Sequence, residues 1–268
     1  MIEATATSSV DAARRFGGVQ RLYGEAGAQA IAQAHAIVVG VGGVGSWAAE
    51  ALARSGIGAL TLIDLDHVAE SNINRQLHAL DATLGMAKVE AMRARIAAFH
   101  PGCRVQTLEA FVEPDNWADL WQQACQRQQG WSALAVLDCC DHMAAKETLA
   151  AWARRSGALF ITAGAAGGKR HGERVEIDDL AHATHDPLLA QLRQRLRQRH
   201  GAPRHGPLGV AAVFSREPVA RPTAACDADG AVEGSLNCHG YGSLVTVTAT
   251  FGLCAAGWVL NRLAAGHP

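Results

Sequence analysis

Three glycines, Gly40, Gly42 and Gly45, stand in G-x-G-x-x-G spacing where the apolar run AIVVGV (36–41) ends. At the exit of a strand and the start of a helix, such glycines permit a tight turn. They also let backbone approach a phosphate and let the helix lie close on the sheet. The exposed N–H groups and the helix dipole then favour an anion. Asp64 closes a second apolar run, ALTLID, 24 residues after Gly40, where a carboxylate can accept hydrogen bonds from a ribose. Up to this point NAD, FAD, ATP and a ligand-free tight turn all remain open.

The residues that follow shift the balance. SNINRQ (71–76) places Asn72 and Arg75 just beyond the second strand, and Lys88 follows at the start of a helix. A nicotinamide needs neutral surroundings, whereas two cations joined to backbone amides suit a triphosphate. VLDCCDH puts Asp138 and Asp141 at the carboxyl end of another strand, where a carboxylate could hold magnesium against phosphates. A surface ion pair for Arg75 and a helix N-cap for Asp141 are the plainer readings. Taken together with Lys88, the set favours ATP. Only three of the 24 basic residues are lysines (Lys88, Lys146, Lys169), against 21 arginines. Such a bias is compositional first, yet a lysine that survives it is more apt to be needed as a lysine.

These residues need elements to position them. The chain has 268 residues, 49% hydrophobic and 18% charged, with a net charge of −1. That excludes a disordered chain and a globally basic nucleic-acid binder, but not a local basic patch. A helix at 14–35 precedes the first strand. Helices at about 44–55, 88–99, 115–129 and 142–156 then alternate with strands at 59–64, 103–112, 133–138 and 158–163. Nearly continuous apolar strands alternating with helices predict a doubly wound, Rossmann-like α/β fold, its sheet mainly parallel and covered on both faces. The whole chain, 1–268, reads as one ATP-binding domain. Its core is at about 14–165, and about 166–268 form a less regular substrate and crossover segment ending in an apolar helix.

The seven cysteines (103, 125, 139, 140, 226, 238, 254) are odd in number and show no C-x-x-C pair, so neither a disulfide framework nor a double zinc knuckle is expected. No signal-peptide core opens the chain, which reads as cytoplasmic. Residues 234–261 carry no formal charge, and their apolar part, 244–260, is borderline in length for a membrane span. Its threonines and small residues suit a helix buried in protein better than inner-membrane contact.

The ordered motifs GVGGVGS (40–46), LIDLDHV (62–68), SNINRQ (71–76), G-x-x-K (85–88) and DCCD (138–141) resemble the ubiquitin-activating-like adenylating enzymes. The resemblance implies that ATP and magnesium adenylate a carboxylate. It places the amides of Gly40, Gly42, Gly43, Val44 and Gly45 at the nucleotide, Asp64 on the ribose, and Asn72, Arg75 and Lys88 at the phosphates, with Asp66 and Gln76 also in the nucleotide site. Asp141 would hold magnesium, and Arg15 would reach the triphosphate of a partner across a homodimer. The zinc cysteines of the sulfur-carrier activators are missing. RFGG–RLYGE, NRQLHAL, DPLLAQLRQRL and GSLVTVTATFG instead resemble the bacterial dehydratases that cyclise threonylcarbamoyladenosine in tRNA. That family brings a cysteine desulfurase and its sulfur-acceptor protein as partners. Cys238 falls where relatives place a cysteine that attacks the acyl-adenylate, with a buried structural thiol as the alternative, and His239 beside it could take a proton. The arginines at 193–204 are either a solvated basic face or contacts to an anticodon stem-loop. Adenylation of a sulfur carrier's C-terminal glycine, nicotinamide chemistry and a non-catalytic nucleotide sensor are the rival readings.

Overall fold

Strands β1 (Ala34–Val39), β2 (Ala59–Ile63), β4 (Ala133–Asp138) and β5 (Leu159–Ala163) form where the short apolar runs were read. Such runs have no polar face and are stable only between two covering layers. The computed structural model describes residues 11–126, 130–220 and 241–266. Its sheet has seven strands in the order β3-β2-β1-β4-β5-β7-β6, with β3 at Arg104–Leu108, β6 at Val175–Asp179 and β7 at Ala211–Ser215. All neighbours are parallel except β6 and β7.

Helices cover both faces. Ala36 and Val38 of β1 point into a core shared with α1 (Ala12–Ala32), α2 (Gly45–Arg54), α3 (Lys88–Phe99) and the C-terminal helix α7 (Val245–Ala264). Ile37 and Val39 point the other way, towards α4 (Trp117–Gln126), α5 (Met143–Ser156) and α6 (Pro187–Arg199). This alternation is the period-2 geometry of a strand buried on both sides. Helix α1 is broken at Gly24, whose φ of +74° is not helical. The strands β6 and β7 complete the sheet in a region expected to be irregular. The one sheet thus draws strands from both sides of residue 165.

The apolar run near the C-terminus is α7. Its Val247, Phe251, Ala256 and Val259 are fully buried against α1, α2 and the sheet. No described helix is long and apolar enough to cross a membrane. Gly252 is what lets α7 meet α2: a side-chain carbon there would stand 2.3 Å from the Val44 carbonyl oxygen and 2.9 Å from the Ala48 nitrogen. Gly257, on the same helix, has nothing within 4 Å of that position. Gly252→Ala should therefore destabilise the fold by about 1–3 kcal/mol through overpacking. Gly257→Ala should stabilise it by roughly 0.5–1 kcal/mol through helix propensity. Thermal unfolding of the two variants, with shifts of opposite sign, checks the helix contact.

Candidate nucleotide site at the carboxyl edge of the sheet

The glycine turn is built by contacts that exclude side chains. Gly40 has φ +83°, and a Cβ on it would stand 2.8 Å from the Cys140 nitrogen. A Cβ on Gly45 would stand 1.8 Å from the Gly40 oxygen, so α2 leaves β1 directly. No side chain caps the start of α2. The N–H groups of Gly42, Gly43, Val44 and Gly45 have no hydrogen-bond partner among the described residues. Unmet amides at a helix start are a ready anion site.

Asp64 lies beside this turn and is buried. Its carboxylate accepts the Val41 N–H at 2.6 Å and the Asp66 N–H at 2.9 Å. Burial pushes its pKa up from the usual carboxylate value, opposed by the Lys88 ammonium and these two N–H groups.

Asn72, Arg75, Gln76 and Lys88 are delivered by one loop closed at its neck. Val68 N–H donates to Met86 O, Gly85 N–H to Val68 O and Lys88 N–H to Asp66 O, at 2.8–2.9 Å. The Lys88 ammonium is itself held by Asp66 at 2.7 Å, leaving its side chain 8% exposed. The buried Asn72 accepts the Ala69 N–H at 3.0 Å, which shapes the turn rather than facing solvent. Trp47 Nε1 donates to the Arg75 carbonyl, pinning the loop to α2. The Arg75 guanidinium donates only to the neutral oxygens Ser71 O and Asn74 Oδ1, so its charge is free among the described residues. Gln76 is buried beside Gly42, and its Oε1 has no partner among the described residues. A buried acceptor without a donor is costly unless a ligand or water supplies one.

At the end of β4 the two aspartates diverge. Asp138, fully buried, accepts Lys146 Nζ at 2.9 Å and Thr162 Oγ1 at 2.6 Å. It is therefore occupied as a structural anchor and unavailable to a metal. Lys146 also donates to the Cys140 carbonyl at 2.8 Å. Burial alone would lower the Lys146 pKa, but Asp138 holds it above the ordinary value. Asp141 is exposed and carries no hydrogen bond or ion pair among the described residues. No group of three or more His, Cys, Asp or Glu residues able to hold a metal is found among those residues. One free carboxylate beside open amides nonetheless fits magnesium, which takes one or two carboxylates and completes its shell with phosphate and water. Cys139 and Cys140 are packed thiols, their pKa values raised by burial, that of Cys139 to about 12.

Other residues singled out by sequence lie elsewhere. Arg15 donates to Phe99 O at the amino edge of the sheet, lining a cavity of about 350 Å³ with Phe16, Arg54 and Phe99. Five or six strand residues, about 15–20 Å, separate that edge from the glycine turn of the same chain. Cys238 and His239 lie outside the described residues. Two of the four α6 arginines are committed: Arg195 and Arg199 pair with Glu147 at 2.9 and 3.3 Å, where His200 joins them. The partnership of Asp138 with Lys146 and Thr162 was missed, although a lysine in so lysine-poor a chain was its one visible signal.

A doubly wound sheet with open amides at its first crossover, and a buried carboxylate and cations beside them, defines a nucleotide-binding domain. The model of the ThiF family matches residues 17–267, and the chain belongs to that family. Within it, the chain is 44% identical over 260 residues to the tRNA threonylcarbamoyladenosine dehydratase of Escherichia coli (strain K12), covering 94% of each. The crystal structure of the E. coli tRNA N6-threonylcarbamoyladenosine dehydratase in complex with ATP matches with a TM-score of 0.82 and 42% identity. That match covers 96% of this chain and 97% of the other. The molybdopterin-synthase adenylyltransferase of Salmonella typhimurium (strain LT2) is 37% identical over 123 residues, 46% of each chain.

The buried pair at β4 yields a test. Lys146→Met strands the Asp138 carboxylate without its cation and should cost about 3–5 kcal/mol, whereas Lys146→Met with Asp138→Leu should cost less. Denaturant unfolding of the two variants reads the difference.

Proposed function

We propose that this chain acts in the cytoplasm as an ATP-dependent tRNA threonylcarbamoyladenosine dehydratase. It would adenylate the threonine carboxylate of the modified adenosine next to the anticodon, and ring closure would expel AMP. The observation that carries this reading is the extent of the likeness. Identity of 44% runs along 94% of the dehydratase, against 46% of the sulfur-carrier adenylyltransferase.

A free carboxylate is a poor acyl electrophile because oxide is a poor leaving group. Attack of its oxygen on the α-phosphorus releases pyrophosphate and makes that oxygen part of AMP. A nitrogen of the same substituent then attacks the carbonyl, AMP departs, and the net change is loss of one water. Holding nucleophile and electrophile in one substituent supplies several kcal/mol of proximity, within the roughly 7–11 kcal/mol such arrangements reach. The chain's residues take the following roles. Amides of Gly42 to Gly45 hold phosphate oxygens, and the Gly40 bend lets them approach. Asp64 accepts from the ribose hydroxyls, and Gln76 Oε1 gains a donor beside it. Lys88, fixed by Asp66, and Arg75 balance charge on the departing pyrophosphate, while Asn72 shapes the loop that carries them. Magnesium, when bound, would draw charge from the phosphate oxygens, and Asp141 is the residue that would hold it. Arg15, remote from its own site, would serve a partner's triphosphate in a homodimer. Ring closure within the substituent requires no thioester, so this scheme gives Cys238 no covalent step.

Incubation with ATP, magnesium and tRNA bearing the threonylcarbamoyl group, followed by nucleoside mass spectrometry, should show loss of one water. An intact nucleoside, with AMP formed only when a sulfur carrier is supplied, would replace this reading by adenylation of that carrier. Lys88→Arg keeps the charge but places a planar guanidinium in a buried ammonium's space, and should slow adenylation about ten-fold or more.

The raised pKa of Asp64 sets a second test. Its carboxylate protonates at a higher pH than an ordinary aspartate, losing acceptor capacity as pH falls through that value. ATP affinity should therefore decline on acidification at a pH above the usual carboxylate range. Asp64→Asn should bind ATP more weakly and without that dependence, as read by titration calorimetry across pH.

A further inference from the structure

Helix α6 sorts its cations onto two faces. Leu188, Leu189, Leu192 and Leu196 are buried, and Arg195, Arg199 and His200 turn towards Glu147 of α5, where one carboxylate gathers them. The remaining face forms an open groove of about 670 Å³ lined by Ala190, Arg193, Gln194, Arg197, Gln198 and Arg204. Three guanidiniums and two amides line it, with no carboxylate.

Two of the groove's three arginines are fixed by neutral carbonyls. Arg193 Nη1 donates to Leu180 O at 3.0 Å and Ala183 O at 2.7 Å, and Arg197 Nε to Pro203 O at 3.1 Å. None of Arg193, Arg197 and Arg204 forms an ion pair among the described residues. In a chain of net charge −1, this is a local excess of held but unbalanced positive charge. Burial lowers the Arg193 pKa, and the nearby Arg197 charge adds to that, a strain that an anion would relieve.

The groove also has a direction. Asp186, the N-cap of α6, accepts the Ala165 N–H at 2.8 Å just after β5, so α6 starts at the sheet edge that holds the glycine turn. From Ala190 to Arg197 the groove then follows the helix for about 10 Å along the flank. No exposed large apolar side chain lies between residues 187 and 204, which disfavours a lipid surface or a protein hot spot. Guanidiniums and amides without base-reading specificity match phosphate oxygens and ribose 2′-hydroxyls, the groups by which RNA helices are held.

We propose that this groove holds the phosphate–ribose backbone of the tRNA stem whose loop presents the modified adenosine to the nucleotide site. The proposal rests on the tRNA reading above and assigns that substrate a track. Arg195 and Arg199, although part of the same sequence cluster, are structural and take no part in it.

Two double variants test this: Arg197→Gln with Arg204→Gln, and Gln194→Glu with Gln198→Glu. Binding of unmodified tRNA is measured by fluorescence anisotropy over a series of KCl concentrations, and ATP binding by calorimetry. Both variants should bind tRNA roughly ten-fold more weakly near 0.1 M salt with ATP affinity unchanged. The arginine variant should also flatten the slope of log K against log salt by about 1.5–2. Unchanged tRNA affinity and slope in both variants overturn the proposal. A wild-type chain that leaves threonylcarbamoyladenosine intact, while the variants lose tRNA affinity, refutes the dehydratase reading and keeps the groove. Dehydration by the wild type with undiminished binding by the variants does the reverse.

Discussion

The backbone of Gly40 lies against that of Cys139 and Cys140 with no room for a side-chain carbon between them. This contact, reinforced by the Cys139 N–H donating to Val39 O at 2.8 Å, pins the carboxyl ends of β1 and β4 together. The amides of the glycine turn and the Asp141 carboxylate are thereby parts of one rigid unit. Beneath it, Lys146 ties Asp138 of β4 to the Cys140 carbonyl, and Thr162 brings in β5. A buried ion pair is a weak source of net stability, but it is costly to break. Here it sets where the loop after β4 leaves the sheet.

Support also comes from the far end of the chain. Thr248 of α7 packs against Gly43, Gly252 against the Val44 carbonyl, and Asn74 donates to Ser243 O. The C-terminal helix thus braces both the turn and the loop that carries Arg75 and Lys88. The apolar character of this helix, whose one charged residue is Arg262 in the last turn, follows from its position between α1, α2 and the sheet, where a charge would find no partner.

Much of this was legible in the residues. β1, β2, β4 and β5 are apolar runs too short for helices, and α3 begins and ends where its sequence suggested, at Lys88 and Phe99. The glycine spacing, Asp64 and the SNINRQ segment do meet at one edge. β6 was missed because VEIDD is half polar, as suits an edge strand with one wet side. β7 was missed because five residues within a Gly- and Pro-rich stretch carry little periodic signal. Asp138 could not be told from Asp141 by sequence, since burial decides between them and only one is capped by a lysine. The sorting of the α6 arginines was equally hidden: Glu147 lies 48 residues before Arg195, on another helix.

All three lysines are buried and occupied: Lys88 by Asp66, Lys146 by Asp138, and Lys169 by the carbonyls of His185, Ser215 and Glu217. Every other basic side chain that stays charged at neutral pH is an arginine, whose guanidinium is not acylated under ordinary conditions. The chain therefore offers almost no free side-chain amine to an activated ester. A protein that makes mixed anhydrides at its own surface would escape self-modification of its side-chain amines on that account, and amine-directed tags and crosslinkers would find almost no lysine to react with on the folded molecule.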